Sequence, residues 1–385
     1  TGLDPNVALF TAGIGTLIFH IVTGGQIPIF LASSFAFIAP IIAAKGRFGL
    51  EETLGGLMAA GILYIILSGA VRLRGTGFIT RLLPPVVIGP VIMVIGLGLA
   101  PVAVHMASGR TGDGAQQLVP YDTAIWIAMI SLAVTVIMAV WSSGIFRLIP
   151  IMFGIIVGYI LSAFAGIVDL SPITNAPWFA IPNFVAPEFS WAAILFMIPV
   201  AIAPAIEHIG DILAIGTVTR KNYLEKPGLH RTLLGDGLAT SAASALGGPP
   251  NTTYSEVTGA VVLTKNFNPK VMIWAACIAI VLAFIGKFGA ALQTIPAPVM
   301  GGILCLLFGS IAVVGLNTLI RHQVDLSQAR NLVIVAVTLV FGIGGMAIGN
   351  LEGIALCAVV AIALNLILPG KGEAWGARIH EKDTH

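Results

Sequence analysis

Apolar runs of about 20 residues recur along this chain, and short polar or Gly/Pro-rich stretches separate them. That length lets an α-helix cross the hydrocarbon core of a bilayer, so the pattern predicts an all-α polytopic membrane protein. The composition agrees, because 57% of the residues are hydrophobic and only 9% are charged, against about a quarter in soluble domains. The predicted spans are 7–23, 28–44, 53–71, 85–107, 123–142, 147–168, 190–217, 229–247, 250–265, 269–287, 296–320, 327–347 and 351–369.

The charged residues predict how the chain is oriented. A net charge of +2 without a basic cluster gives no indication of a nucleic-acid partner. If the turn at 24–27 faces the cytoplasm, most of the Lys and Arg residues in the loops fall on that same side. The C-terminal segment 371–385 then forms a solvated cytoplasmic tail.

Two stretches near the N-terminus recur in the second half of the chain. "GIGT" at Gly13 precedes "TGGQIP" at Gly25, and "GDGLAT" at Gly235 precedes "LGGPPN" at Gly248, with offsets of 235−13 = 222 and 248−25 = 223. An odd number of spans in each repeat would place the two repeats in opposite orientations, as in secondary transporters. The repeat also leads us to expect a further span upstream of residue 1.

Both repeats contain a helix that Gly and Pro interrupt. The two copies read "GGQIPIFLASSFAFI" and "GGPPNTTYSEVTGAV". Matching interruptions in two halves indicate a transporter's binding site, where the amino ends of half-helices point at the ligand. Ser33 or Ser34, and Thr253 or Ser255, are the predicted N-caps. The alternative is a re-entrant loop that only packs.

Intramembrane acids restrict what such a site binds. Glu207 and Asp211 lie four residues apart, hence on one helical face, and Glu256 closes the second broken segment. Backbone donors combined with carboxylate acceptors suit a small planar solute with alternating C=O and N–H groups, whereas a simple anion would be repelled. Phe35 and Tyr254 lie beside the breaks, where they either face such a ring or pack in the core.

The other polar residues of these spans are interpreted structurally. His208 projects about 100° away from Glu207 on a helix, and "EHIGD" lacks the spacing of a zinc protease, so no enzyme is predicted. His20 is expected to be satisfied near the end of its span. Asp236 is expected to cap a helix or to pair with Arg231.

Several motifs identify a family that this chain resembles. They are "GIGTL", "GGQIPIFLASSFAFIAP", "PPVVIG", "WFAIP", "EHIGD", "PGLHR", "GGPPNTTYSEVTGAVVLTK", "IPAPVMGG" and "VDLSQARNL". The chain resembles the nucleobase–ascorbate transporter family over essentially its whole length, and most of all the bacterial uracil permease branch. The most specific motif is E-x-x-G-x-x-x-x-T-K, which runs from Glu256 to Lys265.

The resemblance implies a fold of two inverted repeats of seven transmembrane segments, with the first helix absent from this chain and short β-strands in the two broken helices. A core domain would carry the substrate and a gate domain would pack against it. The core would comprise 1–72 and 190–287, the gate 73–168 and 288–370, and the tail 371–385. The implied location is a bacterial cytoplasmic membrane, with lipid as the surroundings. Dimerisation is a family expectation.

The resemblance also implies roles for individual residues. Phe35 and Ser255 would donate backbone N–H groups to a nucleobase, while Glu207 and Glu256 would accept its ring N–H groups. Phe308 would close the pocket from the gate side. No cofactor is implied other than the proton as coupling ion, which the Glu207/Asp211 pair would hold.

Two departures from the uracil branch leave the substrate open. Position 255 is Ser where Gly is usual, and position 211 is Asp where His is usual, an acid there being commoner in purine carriers. Glu256 is typical of uracil carriers, because purine carriers generally have Gln. The predicted function is proton-coupled uracil import, with purine (xanthine or urate) symport as the alternative. An anion carrier of the same fold and a channel fit the residues less well.

Overall fold

The computed structural model describes residues 2–75, 77, 81–349 and 351–370, without the side chains of Ile145, Ser255 and Glu256. Helices dominate it, and six helical stretches are long and apolar enough to cross a membrane. These are Pro5–Thr23, Leu50–Arg74, Pro85–Ala107, Tyr121–Val140, Trp191–Thr219 and Ala297–Arg321. The chain is therefore a multi-pass membrane protein, as its hydropathy predicts.

The first half of the chain, as far as it is described, is helical apart from one short strand. Its elements are α1 (Pro5–Thr23), β1 (Leu31–Ser33), a 3-10 turn (Phe35–Phe37), α2 (Ile38–Phe48), α3 (Leu50–Arg74), α4 (Pro85–Gly98), α5 (Ala100–Ala107), α6 (Tyr121–Val140), a 3-10 turn (Gly144–Leu148), α7 (Pro150–Phe164) and α8 (Ser171–Asn175). Pro at the first turn of α1, α5, α7 and α8 suits a position whose N–H has no helical partner.

The second half of the chain is also mainly helical, with three short strands among its described residues. Its elements are α9 (Trp191–Val200), α10 (Ile202–Thr219), a π turn (Leu224–Gly228), α11 (Leu229–Ala245), β2 (Asn251–Thr253), α12 (Ser255–Thr264), α13 (Lys270–Ala283), α14 (Gly286–Gln293), α15 (Ala297–Arg321), α16 (Ala329–Ile343), β3 (Ala347–Ile348), β4 (Leu351–Glu352) and α17 (Gly353–Ile367). The strands β3 and β4 form a small antiparallel hairpin. Each predicted span overlaps at least one of these helices.

The two interrupted segments are broken where the sequence predicts. In place of the spans 28–44 and 250–265, each has a three-residue strand followed by a short helix. Gly24 ends α1 with φ 68°, in the left-handed region, and Gly247 follows α11 with φ 85°. Glycine enters that region without the steric cost that a Cβ imposes, so both pairs of glycines stop a helix just before the break.

The two strands pair with each other. β1 and β2 run antiparallel, with Leu31 opposite Thr253. The backbone N–H of Ser34 donates to the carbonyl of Pro250 (2.8 Å), and that of Tyr254 donates to the carbonyl of Phe30 (3.1 Å). Phe30 and Ser34 in the first segment correspond to Pro250 and Tyr254 in the second, because 250−30 = 254−34 = 220. Each segment therefore donates one of these bonds and accepts the other at equivalent positions, and the strand pair has local two-fold symmetry.

Helix side chains satisfy the outer edges of this strand pair. Thr16 on α1 accepts from the N–H of Leu31 (2.9 Å) and lies 3.0 Å from the Leu31 carbonyl. The Thr240 hydroxyl on α11 donates to the carbonyl of Asn251 (2.6 Å), and the side-chain amide of Asn251 donates to the backbone carbonyl of Thr11 on α1 (2.7 Å). Non-helical backbone at membrane depth survives only where protein or water satisfies it, and these bonds supply that satisfaction.

Glycines allow α3 and α11 to approach each other closely. A Cβ on Gly61 of α3 would lie 2.7 Å from the carbonyl oxygen of Gly237 on α11, and a Cβ on Gly237 would lie 2.8 Å from the carbonyl oxygen of Gly61. Small residues at helix contacts are typical of membrane proteins, because they let backbones pack closely. The "GDG" stretch therefore has a packing role.

The chain folds into two compact units. The first contains the described parts of Thr1–Ile95, Pro182–Leu282 and Val313–His385, and with them both strands of the β1–β2 pair. The second contains Gly96–Ile181 and Ala283–Ala312. Within the second unit, the Tyr159 hydroxyl lies 2.8 Å from the Thr294 hydroxyl, and the Lys287 ammonium donates to the carbonyl of Ile173 (2.9 Å).

The "VDLSQARNL" motif has a structural role in the first unit. Asp325 accepts from the backbone N–H and the hydroxyl of Ser327, and these bonds hold the pKa of this loop carboxyl below its ordinary value. Arg330 donates to the side-chain oxygen of Asn365 on α17 (2.7 Å), and Asn365 donates to the carbonyl of Arg81 (3.1 Å). The motif thus links α16 and α17 to the segment before α4.

Candidate functional site

The amino ends of the two half-helices lie beside the strand pair. Ser34 occupies the cap position of the first, with no side-chain capping bond, and Tyr254 occupies the cap position of α12. The prediction that Thr253 or Ser255 caps α12 is wrong. Thr253 belongs to β2 and its hydroxyl bonds to another helix, while Ser255 is the first residue of α12. The N–H groups in the first turn of a helix carry partial positive charge, which suits a ligand carbonyl.

Two aromatic rings meet across the strand pair. The rings of Phe35 and Tyr254 stack with their centroids 6.0 Å apart and an interplanar angle of 24°. The Tyr254 hydroxyl also donates to the carbonyl of Ser33 (2.7 Å), so Tyr254 fastens the end of β1 where the first half-helix begins. Both rings are half-buried, and aromatic rings are suited to contact with a planar ligand.

Helix α10 presents its acids towards the same strand pair. Asp211 is 2% exposed and its Oδ2 accepts from the hydroxyl of Thr253 on β2 (2.9 Å). Glu207, one turn earlier on the same helical face, is half-buried. α10 also packs against α12, the helix that contains Glu256. The structure therefore brings the acid-bearing face of α10 to the second broken segment.

A buried ionisable pair lies next to these acids, and sequence reasoning missed it. Nδ1 of His208 lies 3.5 Å from Oδ2 of Asp236 on α11, and both side chains are fully buried. Asp236 was expected to cap a helix or to pair with Arg231, but its described partner is His208 and Arg231 is exposed. The only sequence signal was an acid between two glycines in an apolar helix.

The first unit contains further buried polar groups. The Tyr64 hydroxyl on α3 is buried, and both Tyr64 and Glu207 lie within electrostatic range of Asp236. His20 on α1 is buried and its Nε2 lies 3.1 Å from the carbonyl of Ile29, but its Nδ1 has no hydrogen-bond partner among the described residues, so the predicted satisfaction holds for one of its two ring nitrogens. The interior of the first unit thus holds several buried polar groups, in a medium where an isolated charge is costly.

The remaining predicted site residues are placed less completely. The side chains of Ser255 and Glu256 lie outside the described part of the structure, so their roles stay predictions. Phe308 belongs to the second unit, on α15, and is 2% exposed. Its predicted closure of the pocket also stays a prediction. Within the described residues, no group of three or more His, Cys, Asp or Glu side chains is arranged to hold a metal ion.

Comparisons with known proteins identify the family of this chain. A model of a permease family matches residues 4–351. A probable uracil permease of Pasteurella multocida is 58% identical over 373 residues, which cover 96% of this chain and 88% of that protein. The uracil permease of Bacillus caldolyticus is 45% identical over 384 residues, which cover 97% and 88%.

A solved structure shares the fold at low sequence identity. The transmembrane domain of the cyanobacterial bicarbonate transporter BicA superposes with a TM-score of 0.59 at 18% identity, covering 94% of this chain and 97% of that one. The family match and the uracil permease relatives make the chain a transporter. The chain belongs to the permease family of nucleobase–ascorbate transporters.

Proposed function

We propose that this protein imports uracil across the bacterial cytoplasmic membrane by proton symport. The observation that carries the proposal is the β1–β2 pair, which joins the two broken segments beside the acid-bearing face of α10. Relatives called uracil permease or probable uracil permease, at 45% and 58% identity over nearly the whole chain, support the choice of substrate.

The chemistry of uracil fits the groups proposed to bind it. Its ring alternates carbonyl acceptors with N–H donors. The backbone N–H groups of Phe35 and Ser255, at the starts of the two half-helices, would donate to the carbonyls. The carboxylates of Glu207 and Glu256 would accept the ring N–H groups, since charged acceptors make the stronger hydrogen bonds. The stacked rings of Phe35 and Tyr254 would contact the base.

A purine, xanthine or urate, is the second candidate, because Asp211 stands where purine carriers more often have an acid. The fold likeness to a bicarbonate transporter raises a third candidate, an anion. The acids of α10 argue against it, since carboxylates near the site repel an anion instead of neutralising it.

Competition for uptake tests the substrate. Vesicles containing this protein should accumulate labelled uracil, and excess unlabelled uracil should abolish the signal. We expect equal concentrations of xanthine or urate to compete weakly, because a bicyclic base needs more room than a pyrimidine between the half-helix ends. Uptake of labelled xanthine that uracil fails to inhibit would refute the uracil assignment and favour the purine carrier.

The proton is proposed to bind at the Glu207/Asp211 pair while a core domain moves against a gate domain in alternating access. Removing a charge before the movement lowers the cost of carrying the site through a low-dielectric region. The membrane potential contributes about 2.3 kcal/mol per 100 mV for each charge that crosses it, enough to drive accumulation.

Asp211→Asn tests the coupling. Asn keeps an oxygen that accepts from Thr253 but does not titrate, so we expect uptake to lose most of its dependence on external pH. Uptake should be measured between pH 5 and 8, with Asp122→Asn at the exposed start of α6 as the matched control. An Asp211→Asn carrier with the wild-type pH dependence would remove Asp211 from the proton site.

A further inference from the structure

His208 connects three elements of the first unit through one ring nitrogen. Its Nδ1 lies 3.4 Å from the hydroxyl oxygen of Thr253 on β2 and 3.5 Å from Oδ2 of Asp236 on α11. The same Thr253 hydroxyl donates to Asp211, four residues from Glu207 on α10. The contacts run in the order Asp236, His208, Thr253, Asp211, and all four side chains are at most 2% exposed.

Counting protons along this chain of contacts assigns the tautomer of His208. The Thr253 hydroxyl has a single hydrogen, and that hydrogen points to Asp211 at 2.9 Å. The oxygen of Thr253 must then accept from His208, so Nδ1 of His208 carries a hydrogen. Oδ2 of Asp236 lies 3.5 Å from the same nitrogen, and neither oxygen of Asp236 has a hydrogen-bond partner among the described residues, so a hydrogen on Nδ1 is also the arrangement that this carboxylate favours.

We propose that His208 is a positioning residue for the Glu207/Asp211 proton site and acts as a fixed N–H donor. This inference rests on the proposed function. By donating to Thr253, His208 leaves the hydroxyl only one direction in which to place its own hydrogen, and that direction leads to Asp211. Rotation of the hydroxyl would break the bond to Asp211, so His208 sets the geometry at the proton site without touching substrate.

The elements packed around His208 carry other titratable groups, which a change of pH could also affect. The ring centroid of Phe19 on α1, next to His20, is 6.3 Å from that of His208. A second proton on His208 would give the fully buried ring a positive charge. It would also leave the new Nε2–H group without a hydrogen-bond partner among the described residues. The neutral Nδ1–H form is therefore the one the site accommodates. The titratable groups of the packed elements are Glu207 and Asp211 on α10, Asp236 on α11, Tyr64 on α3, His20 on α1, and Glu256 on α12, whose side chain is not described.

Two amide substitutions separate a fixed donor from a proton carrier. His208→Asn places an amide N–H near the position of Nδ1, whereas His208→Gln places it near Nε2. Neither amide titrates. We expect His208→Asn to keep uptake within about threefold of wild type with the same pH profile, and His208→Gln to lose about tenfold or more in kcat/KM, the effect of one hydrogen bond to a charged network.

The control is His322→Asn, which changes a histidine whose Nδ1 lies 2.9 Å from the carbonyl of Thr318 at the end of α15 and should leave uptake unchanged. If His208→Gln does not insert into the membrane, Thr253→Val compared with Thr253→Ser tests the bond from Thr253 to Asp211, through which His208 is proposed to act. The Thr253→Ser variant should retain uptake, whereas the Thr253→Val variant should lose about tenfold in kcat/KM.

Three results would overturn the proposal. They are wild-type uptake by His208→Gln, a loss in His208→Asn as large as in His208→Gln, and a flattened pH profile in His208→Asn, which would make the ring itself a proton carrier. The variants should be compared with whichever labelled base, uracil or xanthine, the wild type takes up. If the wild-type protein does not take up uracil, the proposed substrate is refuted, but the proposed role of His208 is not. Melting temperatures of the purified variants give a readout independent of transport. We expect His208→Asn to melt near the wild-type temperature and His208→Gln to melt several degrees lower.

Discussion

Glu207→Gln is expected to lower uracil uptake about 100-fold at every pH tested, the largest effect of any single substitution considered. Glutamine replaces a carboxylate acceptor with an amide, and one arrangement of that amide turns an N–H towards the ring N–H of the base. Hydrogen bonds to charged groups contribute about 1.5–3 kcal/mol, and each 1.4 kcal/mol corresponds to about tenfold. Glu207 is also half of the proposed proton site, so affinity and coupling should fall together.

The measurement is initial uptake of labelled uracil as a function of concentration and pH, normalised to the amount of carrier in the vesicles. Glu188→Gln, the same change on an exposed loop of the first unit, is the matched control and should behave as wild type. If Glu207→Gln kept more than about a third of the wild-type uptake with its pH dependence intact, Glu207 would be neither the substrate acceptor nor the proton site.

Gly61→Ala is expected to destabilise the protein by about 1–3 kcal/mol, the usual cost of forcing extra volume into a packed interior. The new methyl group would lie 2.7 Å from the carbonyl oxygen of Gly237 and 2.7 Å from the backbone nitrogen of Ser241, both on α11. Those atoms belong to the backbone, so they yield only if the two helices move apart. Such a shift would also disturb α11 where it carries Asp236.

Gly69→Ala, on the same helix α3, is the matched control. A Cβ at Gly69 meets nothing within 4 Å, so the substitution should be neutral or stabilising by up to about 1 kcal/mol through the better helix propensity of Ala. Thermal melting in detergent compares the two variants. Equal melting temperatures would show that the close approach of α3 and α11 does not limit stability.

Local patterns predicted the helices and the two breaks correctly because each depends on neighbouring residues. A run of apolar side chains is enough to form a span, and the left-handed glycines Gly24 and Gly247 are enough to stop one. The short strands were expected from the family resemblance, and β1 and β2 are present with a defined antiparallel register.

Predictions of which side chains contact each other were less successful. Thr253 was expected to cap its own helix, yet its hydroxyl donates to Asp211, 42 positions away in the chain. Asp236 was expected to pair with the nearby Arg231, yet it lies beside His208, 236−208 = 28 positions earlier. His208 was given no role, because its direction on α10 says nothing about which element faces it.

The sequence by itself determined that this is a multi-pass helical membrane protein with two interrupted helices, because a bilayer dictates the length of apolar runs and rejects unpaired backbone. Only the tertiary structure decided which polar groups meet. In a low-dielectric interior each buried donor or acceptor must find a partner, and here the partners of Thr253 and Asp236 come from helices distant in the chain.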